Sequence, residues 1–246
     1  MPALCRKGVW LVALVLVVLA GPATAQEVTL DLGEGGSLAG RTVQILLLVT
    51  VLGLAPGILV TVTCFPFIVT VLAILRQAIG LQQSPPNMLM VSLALFLTYF
   101  VMEPVLTEAY RNGVAPLLAE EIGLEEAFDA ASAPIQGFMA ARVDPATLGE
   151  MAALRPDLDP RVAPTDAPLS VLVPSFLLSE IARAFQVGFL IFLPFLIIDL
   201  VVAAVLMSMG MMMVPPAIVS LPFKLAFFVV ADGWALIAAS LVRGYG

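Results

Sequence analysis

Residues 185–234 constrain the fold more than any other stretch of this chain. They read FQVGFLIFLPFLIIDLVVAAVLMSMGMMMVPPAIVSLPFKLAFFVVADGW, with Asp199, Lys224 and Asp232 as their only charges. An apolar run of about 20 residues is long enough to cross ~30 Å of hydrocarbon as a helix. Residues 185–208 and 217–242 both meet that length. Between them stand Met211, Met212, Met213, Val214, Pro215 and Pro216. Paired prolines remove amide donors and clash with the preceding turn, so Pro215 and Pro216 mark a bend. The spacing predicts a helical hairpin over 184–243, bent at 211–216.

Composition agrees. Of 246 residues 61% are hydrophobic and 12% charged, with mean hydropathy +1.08. Soluble domains carry roughly a quarter charged residues. Lipid admits only helices or closed barrels, and these apolar runs are continuous rather than alternating. The fold class is therefore an all-α integral membrane protein, with the lipid bilayer as its first partner. A net charge of −7 excludes nucleic acid as a partner, which needs clustered Lys and Arg. The chain has no histidine. That removes the commonest general base and metal ligand together. Its two cysteines, Cys5 and Cys64, sit in a leader and an apolar run, so a disulfide between them is not expected. There is no nucleophile–base pair, phosphate loop or metal cluster in the sequence. No cofactor and no enzymatic activity are expected.

Residues 1–25 follow the plan of a cleavable signal peptide, with Arg6 and Lys7 before an apolar core and Ala23-Thr24-Ala25 at its end. Cleavage after Ala25 leaves a polar leader, 26–41, outside the cytoplasm. Residues 42–102 read as a first membrane hairpin. Its charge-free part, 42–75, would span ~50 Å as one helix, so a break is expected at Pro56-Gly57 or Pro66. A turn at 76–86 and a second helix ending at Glu103-Pro104 complete it. Residues 103–183 differ in kind: thirteen acids stand against five arginines, and prolines at 145, 156, 160, 164 and 168 crowd the second half. This predicts an acidic, partly helical loop. Alternating the crossings puts Arg76 inside and the acidic loop outside, in the periplasm.

A charge inside an apolar helix is a candidate functional group, because each costs roughly 2.5–3.5 kcal/mol at mid-bilayer. Asp199 and Lys224 lie at similar distances from the bend, so an antiparallel hairpin brings them to one depth. Asp232 follows Lys224 by two turns. These groups either fix helix registry and subunit pairing or form a coupling pathway. The second option describes a secondary transporter or ion channel using Asp199, Lys224 and Asp232, though no internal repeat supports it. Glu180 and Arg183 share a helix face at the mouth of the hairpin. Methionine is unbranched and adaptable. The run Met211, Met212, Met213 is either gap filler or a soft apolar constriction, of the kind that gates by dewetting.

Residues 194–234, with SEIARAFQVGF at 179–189 and FPFIVTVLAILRQAIGLQQSPPNMLMVSLALFLTYFVM at 65–102, closely resemble the FliP family of flagellar type III export. The resemblance covers most of the chain after the leader, except the acidic loop beyond Glu120. It implies helical hairpins assembling into an oligomeric helical pore. FliP-like subunits form a ring of five, completed by FliR and FliQ, with FlhB and FlhA adjoining. That assembly passes unfolded flagellar proteins across the inner (cell) membrane. The resemblance further implies a methionine gasket at Met211 to Met213 and an assembly pair of Glu180 with Lys224. It also implies hairpins raised out of the bilayer plane toward the periplasm. Lys224 thus has two expected partners, Asp199 by depth and Glu180 by resemblance.

Overall fold

The computed structural model describes residues 38–245, apart from 82, 83 and 212. The signal peptide, Ala25 and most of the polar leader lie outside the described residues, as does Met212. Among the described residues the regular structure is helical throughout: α1 Leu38–Thr61, α2 Phe65–Ile79, α3 Asn87–Ala109, a π-helical turn Tyr110–Val114, α4 Ala115–Leu118, α5 Leu124–Arg142, α6 Pro145–Ala153, α7 Leu169–Ser208, α8 Pro216–Val230 and α9 Gly233–Arg243. Three stretches are long and apolar enough to cross a membrane: 42–61, 87–118 and 169–208. The bent pair α8 and α9 makes a fourth if it counts as one span. The chain divides into two units, 1–51 and 52–246. In the first, the described residues 38–51 are helical. The rest of this description concerns the second.

The first apolar run breaks, but at 62–64 rather than at Pro56-Gly57, which α1 passes through. The break is capped by hydroxyls. Thr61 and Thr63 donate to the carbonyls of Ile58 and Val60, and the Phe65 amide donates to Thr63 Oγ1 at 3.3 Å. Pro66 then starts α2 instead of ending α1, because its fixed φ and missing amide suit the first turn. Gly80, at φ 91, closes α2 in the left-handed conformation.

α2 packs most extensively against α7. Gly188 permits this: a β-carbon there would stand 2.4 Å from Ile74 Cδ1. Ile68, Val71, Leu72 and Leu75 of α2 are fully or almost fully buried in the resulting core with Ala184 and Phe195.

The structure departs from the sequence reading in three further places. α3 does not stop at Glu103-Pro104 but runs on to Ala109. A proline inside a helix costs ~3 kcal/mol. Met102 and Ala109 are buried on either side of it, so packing outweighs the lost bond. Gly113, in the π turn that follows, presses against the backbone of α5, where a β-carbon would meet the Ala127 carbonyl at 2.5 Å. Second, residues 169–183, read as the end of the acidic loop, are the first turns of α7. That 40-residue helix is ~60 Å long, about twice a hydrocarbon core. Its first turns carry a separate core with the acidic segment before it: Val171, Leu172 and Phe176 meet Met139, Val143, Leu148 and Ala152. Third, the arm at 217–242 is not one helix. It bends by 62° between α8 and α9. Asp232 sits there at φ 46, and Gly233 lies against the Phe228 ring.

Candidate functional site

Three features of the second hairpin hold the candidate residues: its tip, and two polar clusters. The tip begins where α7 stops. Gly210, at φ 76, is left-handed. The Met211 amide donates to the Leu206 carbonyl and the Gly210 amide to the Met207 carbonyl, both at 3.0 Å. This paired closure satisfies carbonyls that the helix end leaves open. Pro215 and Pro216 then set the start of α8. The bend thus owes its stop to Gly210, a signal available in the sequence as glycine after a long apolar helix, and its restart to the prolines. The described methionines around the tip are exposed. Met213 is 97% exposed, and Met207, Met209 and Met211 are also exposed. A wholly apolar groove of about 560 Å³ runs beside the tip, lined by Ile197, Val201, Val205, Met209, Met211 and Phe223 among others.

The first polar cluster joins three helices. Lys224 Nζ of α8 lies 2.7 Å from Asp199 Oδ2 of α7. It also donates to the Ala78 carbonyl at 3.1 Å. That carbonyl is in the last turn of α2, where a cation complements the helix dipole and an open acceptor. Ser220, one turn before Lys224, donates to Asp199 Oδ1 at 2.6 Å. Lys224 is buried, whereas the Asp199 side chain is about a third exposed (32%). Depth alone predicted the Asp199 partner. Ser220 was legible as the i−4 neighbour on Lys224's face; the Ala78 carbonyl was not.

The second cluster centres on Glu180, whose exposure is 0%. Its Oε1 receives Arg142 Nε at 3.2 Å and Arg183 Nη1 at 3.4 Å. Its Oε2 accepts the Tyr245 hydroxyl. Arg142 also covers the Tyr245 ring at 3.8 Å and donates to the Gly244 carbonyl at 2.9 Å. Burial first, and the Glu180 carboxylate second, hold the Tyr245 phenol well above its ordinary range, so it remains a donor. Within one chain, then, Glu180 is partnered by Arg142, Arg183 and Tyr245, and Lys224 by Asp199. Sequence reasoning named Arg183 but missed Arg142 and Tyr245, which lie 38 and 65 residues away. Asp232 joins neither cluster. It is exposed at the bend and forms no ion pair among the described residues. No group of three His, Cys, Asp or Glu able to hold a metal is found among them.

A helix cap in the acidic segment is a further polar feature. The Asp144 side chain caps α6, accepting from the Thr147 amide and hydroxyl at 2.9 Å. The bond from that amide, more than any other influence, pulls its carboxyl below the ordinary 3.8.

The FliP family model matches residues 48–241. The flagellar biosynthetic protein FliP of Caulobacter vibrioides is 52% identical over 236 residues, covering 96% of this chain and 88% of that protein. Its counterpart in Bacillus subtilis is 47% identical over 204 residues, 83% and 92% of the two chains. That of Rhizobium meliloti is 44% identical over 234 residues, 94% and 96%.

Proposed function

This chain belongs to the FliP family, and from that premise we propose that it is a pore-forming subunit of the flagellar type III export gate. It passes unfolded flagellar subunits across the bacterial inner membrane. Copies of the chain form a ring of five, completed by FliR and FliQ and adjoined by FlhB and FlhA. The acidic outer segment faces the periplasm. The subunit is passive: it supplies wall and seal, and its partners supply the driving energy.

One observation carries the reading: unbranched apolar side chains stand bare at the tip of a long apolar hairpin. Bare methionine in a monomer calls for apolar surroundings in the working assembly. A ring that brings several such tips together provides them. It also makes a constriction that excludes water and ions at rest and deforms around a passing chain. Met211, Met212 and Met213 form this gasket, and Gly210, Pro215 and Pro216 hold the bend. Lys224, with Asp199 and Glu180, provides the charge pairing on which subunit assembly depends.

Replacing Met211, Met212 and Met213 together by alanine tests the seal. Ion leak through vesicles bearing the assembled complex should rise at least several-fold, with the complex still intact by native mass. An unchanged leak in intact complexes refutes the gasket.

A further inference from the structure

The far end of the second arm is tied down, and a pore wall or seal does not by itself require that. Tyr245 bridges three other helices. Its ring meets Phe67 of α2 edge-on, at 5.5 Å between centroids, and stacks with Phe138 of α5 at 6.1 Å. Its hydroxyl reaches buried Glu180 of α7. Arg142 closes over the ring and takes the Gly244 carbonyl. At the other end of α9 the chain is held in a conformation it would not choose. Asp232 bears a side chain at φ 46, and a β-carbon on Gly233 would stand 2.2 Å from Phe228 Cε2. Left-handed backbone at a residue with a side chain persists only where its surroundings over-determine it.

We propose that Glu180, Arg142 and Tyr245 form a latch that keeps α9 bent by 62° from α8. Open the latch, and the arm relaxes toward one continuous helix over 216–243, ~42 Å long. Arg142 ends α5, so the latch couples the outer segment to the position of the second arm. Tyr245 is a positioning residue, and the claim stands on contacts within one chain, independently of the gasket.

Cys64 is a built-in reporter. It is fully buried in the same core cluster as Phe67, with Tyr245 packed against that cluster. With Cys5→Ser it becomes the sole thiol. Labelling of the full chain in detergent with N-ethylmaleimide is expected to be slow. Tyr245→Phe deletes only the hydroxyl and should speed labelling roughly tenfold, the scale of a lost hydrogen bond to a charged group. Arg155→Ala, which removes an exposed 2.7 Å bond to Ser170 outside both clusters, should leave the rate unchanged. In a Cys5→Ser, Cys64→Ala background, spin labels at exposed positions 218 and 236 should move apart in Tyr245→Phe and in Arg142→Leu. If Arg142→Leu does not fold, Tyr245→Phe alone decides. Unchanged labelling and an unchanged label distance in Tyr245→Phe overturn the latch. So does equal acceleration in Arg155→Ala, which would mean general loosening.

Discussion

Glu180 and Lys224 are both ionisable groups buried in one hairpin, yet they are held differently. Glu180 has no exposed surface and three side-chain donors, two of them from outside its own helix. Lys224 has one carboxylate and one main-chain carbonyl, and that carboxylate is about a third exposed. The first arrangement encloses a charge and binds the outer segment to the arm. The second registers three helices while leaving its acid within reach of water or a neighbour. If Lys224 and its partners also pair between subunits, as proposed, that contact must use whatever side the fold leaves open. In this pair the open side belongs to Asp199.

The largest effect that sharpens this contrast is expected at Lys224. Lys224→Ala leaves Asp199 without its cation and the α2 end without its cap. Breaking a buried pair costs roughly 3–5 kcal/mol, reduced here to about 2–3 because Asp199 is partly solvated. Ring yield on native gels should fall sharply and the detergent melting temperature should drop. Lys224→Met combined with Asp199→Leu should recover much of the melting temperature, because paired apolar residues replace an ion pair at little cost. Ring yield should stay low if the charge serves assembly. Recovery of both measures would place Lys224 on the fold side of the comparison.

A smaller effect is expected at Ser220. Ser220→Ala removes the 2.6 Å bond that orients Asp199, a loss of about 1–2 kcal/mol in a thermal melt. Ring yield should hardly change, since both charges survive. A yield as low as that of Lys224→Ala would show that carboxylate orientation, rather than charge, governs assembly.

The smallest effect lies outside both clusters, at the Asp144 cap, and calibrates them as a fully solvated carboxylate. Its pKa is lowered by folding, so its contribution is complete above the unfolded value of 3.8 and lost as pH falls below it. Hydrogen exchange at the Thr147 amide should be slower than in Asp144→Ala above that pH, and the difference should vanish as pH falls below it. The same dependence in the Asp144→Ala protein would remove Asp144 as its source.

Much of the candidate site was legible because lipid is an undemanding reader. A run of apolar residues longer than about 20 must be helical there, whatever surrounds it. The same rule made Asp199 and Lys224 conspicuous, and hairpin geometry made them neighbours. The bend at 211–216 was visible in its prolines. The extent of α3 and the break in the last arm were not. Pro104 carries the stronger local signal for a stop, yet α3 continues through it, since neighbouring helices cover both its flanks. The Asp232-Gly233 dipeptide is a turn signal, but its place inside an apolar run of helix length masks it.

The sequence by itself determined the class of protein, the helical character of its apolar arms, the position of the bend and the match in depth of Asp199 with Lys224, while leaving Glu180 open as the lysine's other partner. These follow from transfer free energies and helix periodicity, which act within a segment or between adjacent segments. Only the tertiary structure decided that Glu180 would close on Arg142 and Tyr245, and that α9 would turn back at Asp232. Those choices depend on which distant residues reach one enclosed carboxylate. A buried charge must find donors wherever the fold brings them, and separation along the chain does not enter that requirement.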